Sequence, residues 1–472
     1  MKLYPHVIGG ELVAPAAEVA VCSPYNGDEI GRCGNATGLE VERAIAAAEG
    51  ARPAMAALPA WKRAQALSQL GDAVREHQDE LAALMSAEAA KPIRDARGEV
   101  RRALLTLRTA AEEALRIGGE ATPLDVAAGG EGRFSISRRM PIGVVAGITP
   151  FNFPLNLVLH KLAPAIASGN AIIIKPSPRT PLSALKLGEL ALGCELPAGA
   201  VNVVAGGAAP AVKLAEDGRI AMLSFTGSAE VGWKLKAAAG RKRVTLELGG
   251  NAANIVHADA DLELAAARLT AGAFAYAGQS CISVQRVYAH RSIYDDLRQR
   301  LVAAAVRLRV GDPAEENTDV GPMISTAAAE RAEGWMREAV AVGARLACGG
   351  KRDGGFVWPA IIENVPPSAA IYKEEAFAPV LLLTPYDDFE AALAEANASR
   401  FGLQAGVFTR DLELALRAFS GLEVGAVLIN EVSSWRMDPM PYGGVKESGF
   451  GREGLRSAIE EMTELRLLIL RS

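Results

Sequence analysis

Cysteine is scarce in this chain. Only Cys22, Cys33, Cys194, Cys281 and Cys348 occur in 472 residues. The count is odd and contains no C-x-x-C pair, which argues against a disulfide framework and a structural zinc site, so no metal is expected. Lys and Arg number 50 against 55 Asp and Glu, a net charge of −5. With no cluster of basic residues, neither nucleic acid nor an anionic membrane is an expected partner. No apolar stretch approaches the roughly 20 residues a membrane helix needs; Gly, Pro, Asn, His and Lys interrupt the most hydrophobic part, 143–174. Met1–Gly10 lacks a basic region followed by an apolar run, so no secretory signal is read and a soluble protein of the reducing cytoplasm is expected. A G-x-G-x-x-G turn between strand and helix is also missing, as are internal repeats and long linkers.

Half the residues are hydrophobic, enough for a large interior, and the length suggests two or three domains. Residues 39–117 read as helical. Trp61, Ala64, Leu67, Leu70, Val74, His77, Leu81, Leu84 and Met85 recur at three- and four-residue spacing as one apolar face, and Pro92 separates them from a second stripe, Val100 to Leu115. The alternation in Arg133-Phe-Ser-Ile-Ser-Arg-Arg139 suggests an edge hairpin. Short apolar strands then alternate with helices: Gly143–Ile148, Ala171–Ile174, Val201–Val204, Ile220–Phe225 and Val244–Leu248, with helices at Leu182–Leu192 and Val231–Ala239. A second such region carries helices Leu262–Ala277 and Ile293–Arg307 and strands Val284–Ala289, Val380–Thr384 and Gly406–Thr409. This alternation implies an α/β fold of two lobes, each a largely parallel sheet covered on both faces.

Certain residues stand where packing alone would not put them. Cys281, in Gly278-Gln-Ser-Cys, falls between a helix and a strand, where a thiol can meet a substrate; taken alone it reads more often as a small buried hydrophobe. Glu247, in Thr245-Leu-Glu-Leu-Gly-Gly250, is a lone carboxylate in an apolar strand. Burial either gives it partners or raises its pKa toward that of a general base. Asn152, between Pro150 and Pro154, follows a strand at the edge where ligands of open α/β sheets gather, and is otherwise a turn residue. Lys175 ends a buried strand, within reach of a nucleotide. Phe225-Thr-Gly-Ser228, running into Gly232, is a strand, a turn and a helix start, whose free N–H groups suit a pyrophosphate.

In this order and spacing, the segments Pro150–Pro154, Lys175-Pro-Ser177, Phe225–Ser228, Leu246–Gly250, Gly278–Cys281, Glu374-Glu-Ala-Phe-Ala-Pro379 and Pro441-Tyr-Gly-Gly-Val-Lys-Glu-Ser-Gly449 closely resemble the aldehyde dehydrogenase superfamily. The resemblance implies oxidation of an aldehyde to its acid through a cysteine thioester, with NAD or NADP. Cys281 would be the nucleophile, Asn152 and the Cys281 N–H the oxyanion donors, and Glu247 the base that activates water. Lys175 and Ser177, with Pro178, would face the adenosine ribose, and Ser228 the pyrophosphate. Thr149, Pro150, Phe225, Gly227, Gly232 and Leu248 would complete the cofactor surface, with Glu375 on the nicotinamide ribose and Phe377 beside the ring. Phe153, Trp435 and Arg436 would meet the substrate, a small aldehyde of the lactaldehyde, semialdehyde, phosphonoacetaldehyde or sulfoacetaldehyde kind. Arg436 is then a candidate clamp for an anionic end; otherwise it is an exposed loop residue bonded to Asp438 or Glu431.

By the same resemblance, 1–121 and 141–247 form the dinucleotide-binding domain and 248–440 the catalytic domain. Segments 122–140 and 454–472 form the oligomerisation element of a homodimer or homotetramer. Two departures stand out. Pro178 occupies the position where NAD-preferring members carry a glutamate, so NADP should be accepted, helped by Arg179. Phe-Ala-Pro replaces the commoner Phe-Gly-Pro. The alternatives are a relative that releases acyl-CoA, disfavoured because Glu247 is present, and a non-catalytic binding protein, which would need no Cys281, Glu247 and Asn152 together. No histidine neighbours Cys281 in the motifs, which disfavours a thiol hydrolase.

Overall fold

The structure, a computed structural model, describes residues 2–471. Two large sheets organise it. The first runs, from edge to edge, Gly449–Phe450, Arg243–Glu247, Ile220–Thr226, Val144–Ile148, Ala171–Lys175, Val201–Val203, His6–Ile8 and Glu11–Val13. Its five inner strands from Arg243–Glu247 to Val201–Val203 are parallel, with antiparallel strands added at both sides. Val144–Ile148 and Ala171–Lys175 are buried throughout. The reason is visible in the alternation of side chains. Ile172 and Ile174 pack among residues of helices Ala60–Glu76, Ile93–Ala114 and Asn156–Ser168, while Ala171 and Ile173 pack against helix Gly38–Ala57. Both faces are covered, so no polar alternation survives.

The second sheet runs Arg345–Cys348, Ala360–Glu363, Val380–Tyr386, Val284–His290, Ala252–Val256, Gln404–Phe408 and Ala426–Ile429, parallel apart from the first strand. Among the described residues no helix is long and apolar enough to cross a membrane.

Four local expectations need correction. The periodic stretch from Trp61 to Met85 is two helices, Ala60–Glu76 and Gln78–Ala89, broken at His77, and Trp61 faces outward. Leu115 is likewise exposed beyond the end of helix Ile93–Ala114. The strand Arg133–Pro141 is not at an edge. It lies between Ala121–Pro123 and the tail strand Thr463–Arg471, which pairs with it over its full length. Sequence pattern could not see this partner, because it comes from the opposite end of the chain. Finally, the helix expected over Leu262–Ala277 stops at Phe274. A tight turn follows in which Tyr276 and Ala277 adopt positive φ (48° and 53°). Side chains with a Cβ rarely hold that conformation unless their surroundings impose it.

Candidate active site

Parallel pairing sets the functional segments level with one another. Ile148 pairs with Lys175 and with Phe225, and Thr226 pairs with Glu247, so the loops after these strands leave the sheet at one edge. There they meet the turn that carries Cys281, around a cavity of about 660 Å³. Thr149, Pro150, Asn152 and Phe153 line it from the first loop, Lys175, Ser177 and Pro178 from the second, and Phe225, Gly227 and Ser228 from the third. Glu247, Leu248, Cys281, Glu375, Phe377 and Arg436 complete the expected set.

Two expected members are elsewhere. Gly232 sits behind the wall: a Cβ there would fall 2.4 Å from Leu248 Cδ2 and 3.1 Å from Phe225 Cε1, so its smallness lets the helix approach the strand. Trp435 is 40% exposed and off the cavity. The turn closed by Trp435 N–H to Val432 O sends Trp435 outward and the next side chain, Arg436, inward. Arg179 is an exposed neighbour of Pro178, outside the lining.

Cys281 is partly accessible, with its Sγ 3.4 Å from the Tyr442 hydroxyl. Burial pushes its thiol up to about 12, with Glu375 and Glu247 adding to the rise and Tyr442 and Arg436 opposing it. The strained turn before it is wedged. A Cβ on Gly278 would collide with Ala378 O at 2.1 Å, and the Tyr276 hydroxyl donates to Ala89 O. The Asn152 amide donates to Gln279 O at 3.0 Å, while its Oδ1 is buried without a partner. One buried cation ties the two segments together: Lys91 Nζ lies 4.0 Å from the Phe153 ring centroid and 4.6 Å from that of Tyr276. Lys91 is paired with Glu99, whose other oxygen accepts from the N–H groups of Leu155 and Asn156. Asn152 and Cys281 are thereby held in one register.

Glu247 is 2% exposed and neither of its oxygens has a hydrogen-bond partner. Burial and repulsion from Glu453 hold its pKa well above the ordinary carboxylate value, against Arg436, Lys161 and Arg452. A neutral or easily exchanged proton at a cavity wall is what general acid–base work requires.

The sequence reading gave no role to several residues of the wall near Cys281. Arg102 and His160 line it, each bonded to Asp438: Arg102 Nη2 at 2.7 Å and His160 Nε2 at 2.8 Å. Burial and Arg436 hold His160 down to about 4, so it is neutral near pH 7 although Asp438 pulls the other way. Lys161 donates to Glu453 Oε1 and Thr226 Oγ1, both at 2.6 Å. Arg436 is buried with its guanidinium 3.6 Å from the Tyr442 ring centroid. Its carboxylate neighbour is Glu453 at 3.9 Å, beyond a hydrogen bond, and its Nε and Nη2 have no acceptor. The alternative of an exposed arginine bonded to Asp438 or Glu431 therefore fails; Glu431 pairs with Arg268. The signal for these residues was slight: Arg102 lies off the apolar stripe of its helix, and His160 showed only as a polar interruption of 143–174.

Residues 13–468 match the sequence model of the aldehyde dehydrogenase family. The chain belongs to the aldehyde dehydrogenase family. It is 44% identical to a 3-sulfolactaldehyde dehydrogenase of Priestia megaterium, over 100% of this chain and 98% of that protein. It is 39% identical to the NADP-dependent succinate-semialdehyde dehydrogenase of Escherichia coli, over 96% and 94%. Among solved structures, aldehyde dehydrogenase 21 of Physcomitrella patens, in complex with its reaction product succinate, superposes with a TM-score of 0.98 at 44% identity, covering 100% of this chain and 98% of that one.

The aldehyde dehydrogenase uses NAD or NADP, and its cavity suits such a group. Lys175 is buried, burial lowers its pKa to about 8, and its Nζ makes one hydrogen bond, to Pro176 O. Donors are thus left for hydroxyl or phosphate oxygens. Ser228 caps helix Ala229–Ala238 without a side-chain bond to it, leaving the first N–H groups of that helix at the cavity. Glu375 accepts from Gly250 N–H and stands where a Cβ on Gly249 would come within 2.5 Å of its Oε2. Burial raises it to about 7, so it can accept or donate to a ribose hydroxyl.

Proposed function

We propose that this enzyme oxidises a short aldehyde with an anionic end, a sulfonate or carboxylate, to the corresponding acid. The observation that carries this reading is Arg436, a buried cation at the cavity with two N–H-bearing nitrogens free of acceptors. A buried charge whose N–H groups lack acceptors is costly, and a planar guanidinium favours bidentate oxyanions. Asp438 is occupied by Arg102 and His160, and Glu453 by Lys161, so neither carboxylate hydrogen-bonds Arg436. Relatives named for sulfonated and carboxylated aldehydes agree with it.

In this reading the Cys281 sulfur adds to the carbonyl carbon while the Asn152 amide and the Cys281 N–H stabilise the oxyanion. Bound NAD(P) supplies the acceptor for the hydride whose loss leaves a thioester on Cys281. Glu247 takes a proton from water that attacks the thioester, and the acid departs with the thiolate restored. Lys175, Ser177, Pro178, Ser228 and Glu375 are proposed to hold the dinucleotide, with Phe377 beside its nicotinamide end. The Phe377 ring packs edge-on against Phe151, with centroids 5.8 Å apart. Pro178, exposed at the rim, brings no carboxylate against a 2′-phosphate, which supports acceptance of NADP.

The three-stranded sheet is proposed to join copies of the chain. Leu465, Leu467, Leu468, Ile469 and Leu470 are all at least 52% exposed, and Phe134 and Ile136 lie on the paired strand. So large an apolar surface fits a second copy of itself.

A panel of 3-sulfolactaldehyde, sulfoacetaldehyde and succinic semialdehyde against lactaldehyde and propanal, with both cofactors and with coenzyme A added, tests the substrate reading. The anionic aldehydes should exceed propanal by more than about tenfold in kcat/KM, a difference of ~1.4 kcal/mol, and no acyl-CoA should form. Equal values across the panel would reject it.

A further inference from the structure

Tyr442 closes the cavity beside the nucleophile. Its backbone is pinned by two hydrogen bonds with Glu453, N–H to O at 2.9 Å and the reciprocal bond at 2.7 Å. Its ring packs with Ile282 and Leu403 and is 4% exposed. Among the described residues its hydroxyl has a single hydrogen-bond partner, the Cys281 sulfur at 3.4 Å. The Arg436 guanidinium lies over the ring face. A phenol and a thiol buried against each other could bond either way, but ionisation decides the direction. Burial raises the Cys281 thiol to about 12 and drives Tyr442 well above its ordinary value. A thiol is intrinsically more acidic than a phenol, and once the sulfur has lost its proton it can only accept.

We propose that Tyr442 is a catalytic residue whose hydroxyl donates a hydrogen bond to the Cys281 thiolate, with the Arg436 cation on the ring face strengthening that donor. This rests on Cys281 being the nucleophile. In the addition step the thiol proton has already gone to solvent. A sulfur electron pair forms the S–C bond, the carbonyl π pair moves to oxygen, and the phenol keeps its proton throughout. Arg436 meets Tyr442 through its face, so its N–H edges are not used by the ring.

The size of the effect follows from two opposed trends. A charge-assisted bond that lowers the thiol pKa by about one unit increases the thiolate fraction about tenfold. Nucleophilicity falls with pKa at a Brønsted slope of roughly 0.4–0.5, giving back about threefold. The net gain below the thiol pKa is therefore about threefold.

The experiment is alkylation of Cys281 by the neutral reagent iodoacetamide between pH 7 and 9, followed by peptide mass spectrometry on the full-length enzyme. Tyr442→Phe, which keeps the ring under Arg436, should react about threefold more slowly. Replacing Tyr442 with 3-fluorotyrosine, a stronger donor of the same shape, should make Cys281 react faster than in the wild type. These opposite directions are not expected of a merely structural residue. If Tyr442→Phe fails to fold, the fluorinated enzyme decides alone. Wild-type or faster alkylation in Tyr442→Phe, or slower alkylation with fluorotyrosine, overturns the proposal. Turnover surviving in Cys281→Ala would instead sink the nucleophile reading, and the alkylation comparison would still report on the bond.

Discussion

At its proposed dinucleotide end the cavity is walled by the exits of neighbouring parallel strands, Thr149, Lys175, Gly227 and Leu248, whose mutual positions follow from sheet register. At its proposed aldehyde end the wall comes from segments far apart in the chain: Arg102, His160, Cys281, Arg436 and Tyr442. The first surface carries Lys175, Glu375 and Arg331 among largely uncharged residues and is shaped by backbone. The second is a buried ionic network in which Asp438 and Glu453 already serve other cations, while the Glu247 oxygens have no hydrogen-bond partner. A backbone-built surface suits a fixed ligand such as a dinucleotide. A side-chain network can be re-cut for a different aldehyde without disturbing the sheet.

The sharpest way to break this comparison is at Cys281, the proposed nucleophile between the two ends. Cys281→Ala should abolish oxidation with every aldehyde and both cofactors, as well as any burst of reduced cofactor. Glu247→Gln should keep a single-turnover burst and then stall, because water is needed only after the thioester forms. The pH dependence follows from both groups. Each must lose its proton to act and each has its pKa raised, so activity should climb with pH through neutrality toward 9. A pH–rate profile falling over that range would contradict this. Next in size is Asn152→Ala, expected to lower kcat by about 10²–10³ with thermal stability measured alongside, since one oxyanion donor is worth roughly 3–4 kcal/mol.

Arg436→Met separates the two ends. It should raise KM for sulfoacetaldehyde or succinic semialdehyde by the ~1.5–3 kcal/mol of a charge-assisted pair, while the Kd for NADP stays put. Equal losses for propanal and the anionic aldehydes would make Arg436 a support for its loop. The smallest effect is expected at the other end. Pro178→Glu should shift the NADP-to-NAD ratio of kcat/KM toward NAD by about tenfold, or ~1.4 kcal/mol, and leave aldehyde preference unchanged. A wild-type enzyme with thousandfold NAD selectivity would remove the argument from Pro178.

Local pattern carried much of the fold, for a physical reason. Buried parallel strands must be apolar on both faces, so segments such as Ala171–Lys175 announce themselves, and their boundaries came within a residue of expectation. Loops at strand ends were legible for the same cause. Pattern failed where a partner was distant. Arg133–Pro141 looked like an edge until the tail strand joined it, and Trp61 looked like core although its helix turns it outward. The sharp turn at Tyr276–Gly278 read as more helix, because Tyr and Ala do not advertise positive φ. They hold it here because Ala89, Lys91 and Ala378 hem the turn in.

By itself the sequence determined two parallel sheets, the family resemblance and the segments that bring Cys281, Glu247, Asn152 and Lys175 to a site. Those properties are written in short stretches of chain, where hydrophobic period and motif spacing act locally. Only the tertiary structure decided which way neighbouring side chains face, sending Arg436 in and Trp435 out. It alone decided that Asp438 belongs to Arg102 and His160, and that Tyr442 lies against Cys281. Such choices depend on burial and on competition among charges from segments hundreds of residues apart, where low dielectric makes each pairing strong and each omission costly.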